Sequence, residues 1–105
     1  MATVQFRIVD VPFGSSVSAN GTITADAQAS FSTNVISAGV AIQGWTLSYG
    51  KDDNWVKDEG ANIYNVQTSG NSVLFTASLQ LEDDSGNKLN PADVSLTALV
   101  IAYVE

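Results

Sequence analysis

The chain has 105 residues, neither cysteine nor histidine, and a net charge of −7 from eleven acids and four bases. A length like this makes one domain, residues 1–105, large enough to hold a core without covalent staples. The two missing residue types exclude disulfide scaffolds, thiolate metal sites and the commonest general base. The charge argues against nucleic acid and against an anionic membrane surface, since four scattered bases cannot form a basic stripe.

The opening MATVQFRIVD has no basic region leading into an apolar core. It is therefore not read as a secretory signal, and action outside the cell would follow release by another route. No apolar run approaches the ~20 residues of a membrane span, so no membrane insertion is expected. Residues 3–9 read as a short strand, ended by Pro12, Gly14 and the serines after it. Residues 22–27 and 29–33 read as a weaker pair of strands rich in small residues.

Residues 38–49 form a long predicted strand. Val40, Ile42 and Gly44 face one way; Ala41, Gln43, Trp45, Leu47 and Tyr49 face the other, which makes Trp45 a core or interface residue. Lys51, Asp52, Asp53 and Asn54 then turn the chain, because Asp and Asn side chains bond to nearby backbone groups. Residues 56–66 make the next strand, with Ile63, Asn65 and Gln67 opposed to Tyr64 and Val66.

The cleanest alternation runs over 72–82. Val73, Phe75, Ala77, Leu79 and Leu81 lie on one side, and Leu74, Thr76, Ser78, Gln80 and Glu82 on the other. Ser-Gly-Asn occurs on both sides of this strand, at 69–71 and 85–87, and each copy reads as a turn because Gly and Asn tolerate positive φ. Residues 93–105 close the chain as a last strand. Strands at this spacing without intervening helices predict an all-β fold, an antiparallel β-sandwich of six to seven strands.

The last strand has a second property. Leu99 to Val104 is apolar on both faces, whereas one face of an antiparallel sandwich normally alternates with polar residues. Such a strand is either central and covered or placed at a subunit interface. Leu99, Ile101 and Tyr103 are the candidate interface residues, and a homo-oligomer is expected.

Carboxylates are the acid–base groups present in quantity. Asp53 with Asp58, or Asp83 with Asp84, are the pairs that glycoside hydrolysis would need, but adjacent acids on turns are ordinarily solvated. No enzymatic activity is expected. Asp83, Ser85 and Asn87 imitate the start of a calcium loop, yet Lys88 stands where glycine is required and no acid follows at the twelfth position. Neither a metal nor another cofactor is expected.

The stretch GWTLSYGKDDNWVKDEG, at 44–60, combines ring faces with carboxylates. Sugars offer C–H faces that stack on aromatic rings and hydroxyls that bond to Asp and Asn oxygens. Trp55 falls in a polar turn, where no apolar stripe explains a large ring. Asp52, Asp53, Asn54 and Trp55 are thus candidate ligand contacts, with a neutral polar ligand such as a glycan favoured on a chain this acidic. A partner-subunit contact or a cap over the sandwich edge is the alternative role for Trp55.

Several features together resemble the H-type lectin domain, a small six-stranded antiparallel sandwich. They are Phe31 in an early strand, the strand from Val40 to Tyr49, Asn-Ile-Tyr-Asn-Val at 62–66, the Phe-bearing strand after Ser69-Gly70-Asn71, and Val-Ile-Ala at 100–102. The resemblance spans residues 29–102, and similar small sandwich proteins of unassigned role occur among bacterial and phage sequences. It implies a trimer that binds galactose-type sugars at clefts between subunits. Members that bind N-acetylgalactosamine use an arginine at about the position of Asn62, which joins the candidate contacts, and a Trp-His pair where this chain reads Gln80-Leu81-Glu82. Both of those sugar contacts are therefore replaced. The resulting expectation is a non-enzymatic, lectin-like recognition module acting as a multivalent oligomer; the alternative is a structural component of a phage or secreted particle.

Overall fold

A computed structural model describes residues 2–14, 22–46, 56–83 and 94–105, with side chains placed outside 56–59 and 81–83. It contains six strands: β1 (Thr3–Asp10), β2 (Thr22–Ser30), β3 (Val35–Thr46), β4 (Val56–Ser69), β5 (Ser72–Asp83) and β6 (Ser95–Val104). They form two antiparallel three-stranded sheets, ordered β1-β6-β3 and β2-β5-β4. The fold is all-β, as the alternating pattern requires, and consistent with a β-sandwich. β3 lies against β4 and β1 against β2.

The core forms where the inner faces of the two central strands meet. Val73, Phe75, Ala77 and Leu79 of β5 are buried, and so are Leu96, Ala98, Val100, Ala102 and Val104 of β6. Ile23, Ala29 and Phe31 complete it from the other sheet edge, with Val40, Ile42, Ala61 and Ile63 packed around the rim. The period-two pattern over 72–82 is thus the inside–outside pattern of β5, as far as its side chains are described.

The two short strands expected over 22–33 are one strand. Thr22 to Ser30 pairs with β5 in unbroken register, Thr22 opposite Gln80 and Ser30 opposite Ser72. Gln28 is an ordinary outward-facing ladder residue, and nothing there supplies a turn. Residues 31–34 are the loop that crosses between the sheets.

That loop is fastened at one end of the molecule. Phe31 N–H donates to the Asn71 carbonyl at 2.8 Å, and the Asn71 side-chain amide donates to the Phe31 carbonyl, also at 2.8 Å. Val35 N–H donates to the Gly70 carbonyl, while Glu105 N–H donates to the Asn34 carbonyl. The β4–β5 hairpin that makes this possible turns at Gly70 and Asn71, with Gly70 at φ 57°. A positive φ at the first loop residue is the reason for glycine there. The second Ser-Gly-Asn, at 85–87, lies outside the described residues, as does the turn expected at 51–54.

Of the four register shifts in the ladders, two re-aim side chains whose facing simple alternation predicts. In β4 the register jumps between Tyr64 and Gln67, and Asn65 has φ 55°. Gln67 pairs with Leu74 and so joins Tyr64 on the outer face, not Ile63 as simple alternation predicts. In β3 the register jumps between Ile42 and Gly44, which places Trp45 opposite Leu96 and off the row of Ala41. Trp45 is 54% exposed. The extra residue turns it to the side of buried Leu96, but near the end of β3 it keeps more than half its surface open and is not a core residue.

Candidate functional site

The two outer faces of the sandwich differ in chemistry. On β2-β5-β4 the outward rows read Thr24, Ser78 and Asn62, then Asp26, Thr76 and Tyr64, then Gln28, Leu74 and Gln67. The Thr76 hydroxyl donates to the Asp26 carboxylate at 2.8 Å, and the Ser30 and Ser72 hydroxyls lie 3.3 Å apart. This is a solvated face of the kind expected on an antiparallel sheet.

The Asn65 bulge opens a shallow depression in that face, with a volume of about 310 Å³. Asp26, Asn65, Gln67 and Thr76 supply polar groups around it, and Leu74 and Phe75 supply apolar surface. Two carboxamides, a hydroxyl and a carboxylate beside exposed aliphatic carbon can bond a neutral polar molecule. Among the described residues no group of three or more acidic, His or Cys side chains is placed to hold a metal ion.

The sheet β1-β6-β3 presents the opposite chemistry. Its outward rows are Val4, Tyr103 and Ser37; Phe6, Ile101 and Gly39; Ile8, Leu99 and Ala41; and, where β1 ends, Asp10, Thr97 and Gly44. None of the first nine residues is charged, and Asp10 closes the row of Val4, Phe6 and Ile8. Val4, Phe6 and Ile8 are 55%, 57% and 64% exposed, and Ile101 and Tyr103 are also open to solvent. The inward side of β1 instead carries Gln5 and Arg7, whose partners are Ala102 and Val100. Arg7 reaches past the sheet edge: its guanidinium carbon lies 4.6 Å from the centre of the Phe31 ring, and its Nε donates to the Ser30 carbonyl at 3.3 Å.

Of the residues singled out from sequence, Leu99, Ile101 and Tyr103 do share one outward face. β6 is the central strand of its sheet, with its inner side buried and its outer side facing away from the core. Asn62 is exposed on the opposite, polar face, paired with Ser78. Asp52, Asp53, Asn54 and Trp55 lie outside the described residues. Sequence reasoning missed Asp26, Asn65, Gln67 and Thr76. One signal for them was present: Asn65-Val66 interrupts the alternation of its strand, as a bulge does. It also missed Val4, Phe6 and Ile8 as surface residues, since alternation says that they share a face but not which face.

No protein-family model, no curated protein and no solved structure matches this chain.

Proposed function

We propose that this chain is a non-enzymatic recognition module that works as a homo-oligomer, joining copies through the apolar outer face of β1-β6-β3 and displaying the polar face of β2-β5-β4. The observation that carries the reading is the inequality of the two outer faces. One is uncharged over nine positions and apolar at most of them; the other carries hydroxyls, amides and the Asp26 carboxylate around Tyr64 and Leu74, with a depression in it. A trimer is the assembly that the H-type lectin resemblance implies. Repeating one weak site on a rigid body raises apparent affinity by orders of magnitude without new contacts.

The ligand class that suits the module is a neutral glycan. A −7 chain repels anions, while sugar hydroxyls pair with Asp, Asn, Gln and Thr groups such as those around the Asn65 bulge. The 52–55 stretch and Asn62 supply the contacts expected from sequence. A structural role in a particle is the second reading, favoured by the same apolar face if assembly is its whole purpose.

A glycan array probed with the purified protein separates the two. Reproducible binding to one class of neutral glycan supports recognition. A protein that assembles and binds nothing on the array leaves the structural role standing and sinks the lectin-like one.

A further inference from the structure

We infer that the apolar face of β1-β6-β3 is covered by another copy of this chain, with the bulky row Val4-Phe6-Ile8 of one copy laid over the small row Ser37-Gly39-Ala41 of its neighbour. The inference deepens the proposed homo-oligomer by naming the contact, and it depends on that part of the reading alone.

The facing of β1 is the first reason. This strand turns Val4, Phe6 and Ile8 outward and Thr3, Gln5, Arg7 and Val9 inward, with Val9 packed against the core. A slip of one residue would exchange the two sets, and the large apolar side chains would then point towards the core and be partly covered there, as Gln5 and Val9 are now. For an isolated chain the observed register wastes apolar surface. For a chain with a covered face it places that surface where the cover is.

The second reason is shape. β1 and β3 flank β6, and the side chains opposite Ile101 are the bulky Phe6 on one side and the bare Gly39 on the other. The face is therefore a ridge and a trough separated by a central rib of Leu99, Ile101 and Tyr103. Rotation about an axis parallel to β6 carries one copy's β1 towards its neighbour's β3. The ridge then fills the trough, and the contact is complementary to itself. A Cβ added at Gly39 meets nothing within 4 Å in its own chain, so the trough is open.

Area and charge agree. With full residue areas of about 150–250 Å² for the aromatics and somewhat less for the aliphatics, the six apolar side chains leave roughly 500 Å² open, near the upper end for the largest patch of a monomer. Two such faces, with the small row included, exceed the roughly 1,000 Å² at which a specific contact begins. Among the described residues the acids on this side are peripheral: Asp10 ends β1, where it accepts from the Thr97 hydroxyl at 3.1 Å, and Glu105 lies beyond the other end of β6. A partner recognised by charge would have nothing to read across the nine positions. A second copy of the same uncharged face meets them without burying an unpaired charge.

The test is a charge exchange across the contact. Phe6→Lys and Gly39→Asp are made singly and together, and masses are measured by light scattering and sedimentation from 1 to about 100 µM, with circular dichroism to verify folding. Phe6 is exposed and Gly39 has room, so the variants keep the strand spectrum of the parent. The parent is expected to be oligomeric, and each single variant to need at least about 100-fold more protein to associate. The double variant recovers at least about tenfold of that loss, because every ridge-to-trough contact now pairs Lys with Asp. Raising NaCl from 50 to 500 mM should weaken only the double variant's association, since the parent contact holds no ion pair. A parent that is monomeric at 100 µM overturns the inference, as does a folded double variant no better than its singles. A monomer that still binds glycan defeats this contact and spares recognition; an oligomer that binds none does the reverse.

Discussion

The Arg7 guanidinium stacks over the Phe31 ring at 4.6 Å while its Nε bonds to the Ser30 carbonyl, so one side chain on the edge strand of the first sheet grips the end of β2 in the second. Its Nη1 also donates to the Phe6 carbonyl at 2.9 Å. A planar, multiply donating cation makes this clasp; an ammonium cannot reproduce both its stacking and its fork.

Arg7→Ala should therefore lower stability by about 1 kcal/mol, the scale of an exposed cation–π contact together with a net hydrogen bond. Arg7→Lys should recover less than half of that. Chemical denaturation of the three proteins checks it, and equal stability of the Ala and parent chains would dismiss the clasp as incidental.

Phe75 and Trp45 should part company when truncated. Phe75 is 2% exposed at the centre of β5, so Phe75→Ala should cost about 3–5 kcal/mol through lost transfer energy and a cavity. Trp45 keeps more than half its surface open, and Trp45→Ala should cost only about 1 kcal/mol. Melting curves decide this; a Trp45→Ala protein as damaged as Phe75→Ala would mean that the ring is covered in solution.

The backbone at Asn65 calls for a residue that tolerates left-handed φ. Asn65→Gly should match or exceed the parent by a few tenths of a kcal/mol, whereas Asn65→Val should lose about 1–2 kcal/mol because a β-branched side chain is strained at φ 55°. Gly70→Val should show a loss of similar size for the same reason at φ 57°. Indifference to valine at either position would show that the local backbone rearranges cheaply.

Trp55 provides the test of the ligand contacts read from sequence. Trp55→Ala should leave the melting temperature within about 2 °C of the parent, as surface changes do. It should also abolish binding to whatever glycan the array identifies. Unchanged binding would move the site elsewhere, with Asp26 and Gln67 beside the Asn65 bulge the next residues to change.

The assembly itself makes a prediction about mass. Light scattering at micromolar concentration should give about three times the 11.0 kDa chain if the lectin-like trimer is right, and about twice it if the covered face closes as a self-complementary pair. A clean monomer would remove both the multivalent reading and the covered face.

Local sequence determined where most of the strands lie and, between bulges, which residues share a side. Alternation over 72–82 named the inward set of β5, and the doubly apolar run at 99–104 marked the central strand of its sheet, one apolar row buried and the other facing outward. Gly70 marked the hairpin. These signals are legible because side-chain direction in a strand has period two and because positive φ selects glycine. Tertiary structure alone decided which side of β1 meets the core, that 22–30 is one strand, and that Trp45 leaves the row of Ala41. The physical reason is common to all three. Facing is set by pairing with a strand distant in the chain, and one extra residue in a bulge reverses every side chain beyond it without altering local composition. The inequality of the two outer faces, on which the functional reading rests, exists only once β1 is paired to β6 and Val4, Phe6 and Ile8 are thereby turned outward.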